Sequence, residues 1–273
     1  MVEVARPILA IDVGNSTTTV ALVQLSGLSI DAAWRMSTQA DRLQDEWRSI
    51  LSPLIEGFVD QHGPIAGSVI ASVVPRVTWA LGSMVLDWFG VEPLIVDATH
   101  NLGIGVAVDY PLDVGADRLV NAVAAKHLVG APAIIVDVGT ATKIDVVSAQ
   151  GDFLGGAIAP GIGIGLDALA ARAAQLYAVE ITLPRRAIGR GTVEAIQSGL
   201  VLGHVAMIEG IVARVRAELN HDPPVIVTGG FGELLSAAMS FRTRREPHLT
   251  LVGAALVWSR ELDGVMKSSE VRA

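Results

Sequence analysis

Short apolar runs, each ended by a carboxylate, a glycine or a hydroxyl, recur along this chain and set its expected elements. Ile8–Val13 and Ile134–Val138 are mostly β-branched and read as strands buried on both faces. Thr17–Leu25 and Leu28–Met36 continue the first run as neighbouring strands, and Ile144–Ser148 and Gly151–Ile158 continue the second. Asp41–Gln61 carries Leu43, Trp47, Ile50, Leu54, Ile55 and Phe58 on one helical stripe. Ser68–Val74 reads as a buried strand stopped by Pro75, Arg76–Phe89 as an amphipathic helix and Pro93–Val96 as a short strand. His100–Val114 is loop-like, and Gly115-Ala116-Asp117-Arg118 opens a helix through Leu119–Leu128. Further on, a glycine-rich connection (Pro160, Gly161, Gly163, Gly165) feeds a predicted helix at Leu166–Leu176, followed by a polar loop around Pro184–Gly191. Thr192–Leu219 is long enough for one extended helix or two abutting ones; Val225–Thr228 is a strand ending in Gly229-Gly230, and the stretch after Asp263 reads as frayed.

The plan of strand, turn, strand, strand, then helices and further strands therefore occurs twice. It predicts an α/β chain of two duplicated halves with mixed sheets, residues 1–118 and 119–273. The first turn, Asp12-Val13-Gly14-Asn15-Ser16-Thr17, and the second, Asp137-Val138-Gly139-Thr140-Ala141-Thr142, lie 125 positions apart. Their chemistry suggests a phosphate-holding loop. Glycine lets the backbone turn tightly and approach an anion, with positive φ expected at Gly14–Ser16, and the following N–H and hydroxyl groups donate to phosphate oxygens. An aspartate at the strand end does not face phosphate alone, so it implies a bridging Mg²⁺.

Composition narrows the classes. A net charge of −8 argues against nucleic-acid or anionic-membrane partners. The absence of cysteine excludes disulfides, thiol nucleophiles and thiolate metal sites. Mean hydropathy is high at +0.50, yet charged residues and glycines interrupt every apolar run before about 18–20 residues. Met1–Pro7 contains Glu3 and Arg6 and lacks a signal peptide's apolar core, so a soluble, cytoplasmic protein is expected. The six histidines show no metal-ligand spacing, and no Gly-x-x-x-x-Gly-Lys-Ser/Thr is present.

The ordered set Asp12-x-Gly14-Asn15, Gly115-Ala116-Asp117-Arg118, Asp137-x-Gly139-Thr140-Ala141-Thr142, Pro160-Gly161-Ile162 and Gly189-x-x-Thr192 resembles the type III pantothenate kinases. The resemblance runs from about Ile8 to Leu256. It implies the acetate-and-sugar-kinase/Hsp70/actin fold of two RNase H-like (actin-like ATPase) domains with ATP in the cleft between them, a divalent metal, a monovalent cation (K⁺ or NH₄⁺) and a homodimer. It also implies ATP-dependent phosphorylation of pantothenate, the first step of coenzyme A biosynthesis.

On that resemblance Asp117 is the general base, with helix capping as its alternative role. Gly115, Ala116 and Arg118 hold the substrate, Arg118 through its planar guanidinium. Asp12, Gly14, Asn15, Ser16 and Thr17 form the first phosphate loop, with Asp12 near Mg²⁺ or capping its own turn. Gly139, Thr140, Thr142 and Lys143 form the second, where Asp137 organises the monovalent cation. Thr192 contacts pantothenate from the partner subunit or is a plain N-cap. Gly229 and Gly230 suit close approach of adenine or ribose, or a tight strand-to-helix turn.

Several positions depart from the family pattern. Ser16 replaces threonine and keeps the hydroxyl. Lys143 stands where a threonine is usual and either supplies a fixed ammonium in place of K⁺ or points outward. Val108 replaces a pocket aromatic, with Tyr110 nearby; Gly165 and Gly191 replace serine and asparagine. A kinase with an altered small-molecule acceptor and a non-catalytic nucleotide-binding regulator are the competing readings. Retention of Asp12, Asp117 and Asp137 favours the pantothenate kinase.

Overall fold

The computed structural model describes residues 6–172 and 176–270. By contacts the chain divides into two units, Met1–Gly105 with Asp109–Ala124 and Leu249–Ala273, and Val106–Val108 with Ala125–His248.

The first unit is built on β1 (Ile8–Val13), β2 (Thr17–Gln24), β3 (Ser29–Ser37), α1 (Gln44–His62), β4 (Gly67–Ser72), α2 (Pro75–Phe89) and β5 (Leu94–Ile95). Its five strands are ordered β3-β2-β1-β4-β5, an antiparallel meander β1–β3 joined through β1 to parallel β4 and β5. Alternation decides the faces. Leu9, Ile11 and Val13 of β1, with Val20 and Leu22 of β2, pack on Trp47, Leu51 and Ile55 of α1 and on Val77, Leu81 and Met84 of α2. Pro75 suits the first turn of α2, because the N–H it lacks would have no partner there.

The start of α3 (Ala116–Val129) also belongs to this unit. The second unit begins with the end of α3 and contains β6 (Ala133–Val138), β7 (Ala141–Val147), β8 (Phe153–Pro160), α4 (Ile162–Arg172), α5 (Thr192–Gln197), α6 (Gly203–Leu219), β9 (Val225–Thr228), α7 (Gly232–Ser236) and β10 (Thr243–Arg245). Its strand order, β10-β9-β6-β7-β8, reproduces the first sheet with β6–β10 in the places of β1–β5, including every parallel and antiparallel relation. Ile134, Val136 and Val138 share a core with Ile162 of α4 and with Val205, Ile208 and Val212 of α6.

The last helix, α8 (Leu249–Glu270), returns to the first unit. It lies over the face of the first sheet opposite α1 and α2: a Cβ built on Gly67 would meet the Trp258 ring at 2.3 Å, and Gly67 pairs with Ile8 in register. Gly253 lets α8 press on α3, since a Cβ there would fall 1.9 Å from the Val120 carbonyl oxygen.

Four local expectations need correction. The fourth helix spans Ile162–Arg172, four residues earlier than Leu166, and Leu176 is outside it; residues 173–175 lie outside the described set. Its start follows from Gly161, whose lack of a Cβ lets the chain turn directly out of β8. The second turn is only Gly139–Thr140, because Thr142 and Lys143 already belong to β7. Gly14, Asn15 and Ser16 do not use positive φ; the turn closes through the Gly14 N–H, which donates to the Thr17 carbonyl at 3.0 Å. The chain after Asp263 continues α8 to Glu270 where fraying was expected, and residues 271–273 lie outside the described set.

Two glycine variants test this packing with opposite signs. Gly253→Ala is expected to lower the free energy of unfolding by about 3 kcal/mol, as overpacking against a backbone carbonyl does. Gly57→Ala, at an exposed interior position of α1 with open space around it, is expected to raise it by about 0.5–1 kcal/mol. Urea denaturation of both variants checks this; a neutral Gly253→Ala contradicts the close contact.

Candidate active site

In the first unit three segments meet at one end of the sheet. Asp12 is the penultimate residue of β1, opposite Thr19 on β2 and Ala71 on β4. Beyond it, Asn15 and Ser16 are exposed, while Gly14 and Thr17 are part-buried. The turn is held from behind. Thr38 donates its hydroxyl to the Gly14 carbonyl at 2.7 Å, its amide donates to the Ser16 carbonyl at 3.1 Å, and its Oγ1 is 2.9 Å from that of buried Thr18. The end of β4 joins this turn through the Val73 N–H, which donates to the Val13 carbonyl at 3.1 Å.

Gly115 brings the third segment in. A Cβ at Gly115 would lie 3.2 Å from Val73 Cγ1 and 2.6 Å from Asp117 Oδ1, so glycine lets both side chains lie close to this backbone. Asp117 occupies the first turn of α3 and accepts from the Arg118 N–H at 2.9 Å, a carboxylate placed where the helix has free N–H groups. One of its acceptor sites therefore serves the capping role anticipated for it. Gly115, Asp117 and Arg118 are part-buried and Ala116 is buried.

In the second unit Asp137 occupies the position of Asp12, opposite Lys143 on β7 and Thr228 on β9. Lys143 does not point away: its ammonium is 2.7 Å from Asp137 Oδ2, and only about 15% of either side chain is exposed. Lys143 stands where the first unit has Thr19. Gly139 and Thr140 form the turn, with the Gly139 N–H donating to the Ala141 carbonyl at 3.1 Å; Thr140 is exposed. Neighbouring backbone supports it at van der Waals limits. A Cβ on Gly161 would fall 2.2 Å from the Thr140 carbonyl oxygen, and one on Gly229, where φ is +91°, 2.5 Å from the Val138 carbonyl. The Gly161 N–H donates to the Thr140 carbonyl at 3.0 Å. Gly229 and Gly230 are exposed, and Gly229 serves the tight strand-to-helix turn. Thr142 is buried, with its hydroxyl 2.7 Å from His204 Nε2 on α6.

Residues 8–214 match the family model described as type III pantothenate kinase. Type III pantothenate kinases from Thermomicrobium roseum and Frankia alni are 42% and 44% identical to this chain; each alignment covers 93% of it and 97% or 100% of the relative. The chain belongs to the type III pantothenate kinases. The crystal structure of a ROK hexokinase from Thermus thermophilus shares the fold, with a TM-score of 0.51 at 16% identity over 94% of this chain and 99% of that one.

The remaining positions singled out in this pantothenate kinase fall as follows. Val108 runs beside β8 in the second unit: a Cβ on Gly155 would lie 3.4 Å from its Cγ1, and the Ala107 N–H donates to the Phe153 carbonyl at 2.9 Å. Tyr110 is 73% exposed. Thr192 is exposed and is the first residue of α5, whose N-cap is Gly191, so its hydroxyl does not serve as the cap. The loop before it is held by Glu194, which accepts from the Arg190 N–H at 2.9 Å and lies beside Arg186; both interactions hold its carboxyl below the usual range. Thr192–Leu219 is long and apolar enough to cross a bilayer by length and composition, a feature that counting uninterrupted runs overlooks. Its Val201, Val205, Ile208 and Val212 are buried in the second unit's core, as in a core helix.

Among the described residues no group of three or more His, Asp or Glu side chains is placed to hold a metal. Mg²⁺ needs no such cage in a kinase, because it binds through one or two carboxylates plus substrate phosphates and water; Asp12 beside its exposed turn fits that demand. Asp137 fits a free monovalent cation poorly, since an ammonium already lies against its carboxylate. Sequence reasoning passed over Thr38 and His204, which reach the turns only through tertiary contacts 20 or more residues away in the chain.

Proposed function

We propose that this type III pantothenate kinase transfers the terminal phosphoryl group of ATP to pantothenate's primary hydroxyl, with Asp117 as base and the turns at Gly14–Thr17 and Gly139–Thr140 holding phosphate. Phosphorylation of pantothenate with ATP and a divalent metal, at the start of coenzyme A biosynthesis, is the activity its family membership carries. The observation that carries the assignment of roles is the meeting, in one unit, of Asp12, the exposed first turn and Asp117, brought in by Gly115 against Val73.

Asp117 accepts the hydroxyl proton as the new O–P bond forms and the bond to the ADP leaving oxygen breaks. Its carboxylate is oriented by the Arg118 N–H at the N-terminus of α3. Arg118, next on α3, holds the substrate's carboxylate or amide oxygen, and Ala116, being small and buried, leaves the segment room to lie against the unit. Asp12 is the residue that would hold Mg²⁺, which neutralises charge on the phosphates when bound. Asn15, Ser16, Thr17 and Thr140 offer N–H and hydroxyl donors, while Thr142 and the exposed Gly229-Gly230 segment support the second turn and the nucleoside.

Lys143 takes the place of a monovalent cation. Its ammonium is a covalently attached positive charge on the carboxylate that the family resemblance assigns to K⁺ or NH₄⁺. The second unit also presents exposed Leu154 and Ile158 on the edge strand β8, Ile164 on α4, and Ile188 and Val193 around Thr192. An apolar set of this kind supports a homodimer in which Thr192 reaches the partner's pantothenate. The kinase works in the cytoplasm, beside its coenzyme A precursors.

Steady-state assays test these assignments. ADP formation is expected to require pantothenate and to fall by at least about 10³-fold in Asp117→Asn, the scale of a lost general base. Undiminished turnover in Asp117→Asn would remove Asp117 from that role. Wild-type rates in Na⁺ and K⁺ buffers are expected to agree within about twofold, whereas a tenfold or greater stimulation by K⁺ contradicts Lys143 as the resident cation. Light scattering is expected to give twice the 28.5 kDa chain mass, and a monomer at assay concentration would overturn the shared-site reading of Thr192.

A further inference from the structure

The two units repeat their turns but pin them differently. In the first, buried Thr18 faces Thr38, and Thr38 also donates to the carbonyl of Gly14 in the turn itself. The duplicate of Thr18 is Thr142, since Thr18 pairs with Val13 and Thr142 with Val138 in equivalent registers. The partner of Thr142 comes from a different kind of element. It is His204, in the first turn of α6, with Nε2 2.7 Å from the threonine hydroxyl.

The helix is shaped to deliver that imidazole. Between α5 and α6, Ser198–Leu202 forms a π-helical turn, a widened turn that absorbs one extra residue. Ile196 and Val201 are both buried although five residues apart, a spacing that an unbroken α-helix would turn well away from one face. The stripe then continues as Val201, Val205, Ile208 and Val212. His204 lies three residues after Val201 and four before Ile208, so the widened turn sets it on the same side, toward β7. Leu200 of this turn rests against α4 at Gly165, where a Cβ would lie 3.2 Å from its Cδ2. Burial pushes His204 below the usual imidazole range, so the ring is neutral at pH 7 and bonds Thr142 without adding charge beside Lys143 and Asp137.

We infer that His204 is a positioning residue for the second phosphate turn, holding it through Thr142 as Thr38 holds the first turn through Thr18 and Gly14. The position matters because Thr142 is flanked on β7 by Ala141, whose carbonyl closes the turn onto Gly139, and by Lys143, whose ammonium meets Asp137. Losing the imidazole frees the start of β7, and with it the donors of Gly139 and Thr140. The inference rests on the reading of this turn as a holder of nucleotide phosphate, and its test contains no acceptor, so a failed pantothenate assay leaves the result readable.

Calorimetric titration with Mg-ADP compares wild type, His204→Leu, His204→Gln, Thr142→Val and the His204→Leu/Thr142→Val double variant. His204→Leu and Thr142→Val are each expected to weaken binding about fivefold, the worth of one hydrogen bond. The double variant is expected to bind no more weakly than either single one, because both remove the same interaction. His204→Gln, which returns an amide near the Nε2 position, is expected to recover affinity to within about twofold. Thr142→Val is nearly isosteric and keeps the test open where His204→Leu fails to fold. Wild-type affinity in Thr142→Val, multiplying losses in the double variant, glutamine binding as weakly as leucine, or no Mg-ADP binding by wild type would each overturn the inference.

Discussion

Gly161 and Gly229 lie against the backbone of Val138–Thr140 so closely that even one methyl group on either would overlap a carbonyl. Most of what the second unit offers chemically depends on this contact. It fixes a two-residue turn between β6 and β7 from both sides, one support arriving from the end of β8 and the other from the end of β9. A turn held by backbone from both sides is fixed in place before any ligand arrives, as anion binding requires. Gly14 and Gly139, the glycines most conspicuous beside the aspartates, meet no such obstacle and have no positive φ. Gly161 and Gly229 serve the protein's own packing, whereas the proposed phosphate contact is what gives Gly14 and Gly139 a role.

The duplication explains why the two strand-end turns match and where the match breaks. Ten strands in two identical orders put Asp12 and Asp137 at the same point of each sheet. Across the hairpin, Asp12 faces Thr19 and Asp137 faces Lys143, so one half keeps a carboxylate beside a hydroxyl and the other neutralises it with an ammonium. That single exchange is enough to assign the halves different work: the first carboxylate suits a divalent ion with its water shell, the second a structural charge pair. α3 adds Asp117, the proposed base, to the first unit only, at a helix start beside Gly115.

Much of this was legible in the chain because local pattern and tertiary role coincide. Buried strands ending in Asp-x-Gly announce themselves by β-branched runs, and the equal spacing of two such runs reveals the repeat. The pairing of Lys143 with Asp137 follows from hairpin register once Val138 is known to face Thr142, with three residues between them, but placing Lys143 in the phosphate loop hid it. The start of α4 was missed because the signal lies in Gly161's contact with Thr140, 21 residues earlier, which no helical periodicity records. α8 carries no sharp stripe: Leu249, Leu251, Val252, Ala254, Ala255 and Val257 are all buried, and a helix covered on most sides loses its amphipathic signature. Thr38 and His204 were invisible for the same reason, as each acts across 20 to 62 residues of sequence.

The central claim is that both strand-end turns, not one, carry nucleotide phosphate. Backbone hydrogen exchange with and without Mg²⁺ and a non-hydrolysable ATP analogue addresses it directly, because the donors in question are amide protons. Slower exchange at both Gly14–Thr17 and Gly139–Thr140 is the result the account predicts. Unchanged exchange at either turn in nucleotide-saturated protein would contradict it.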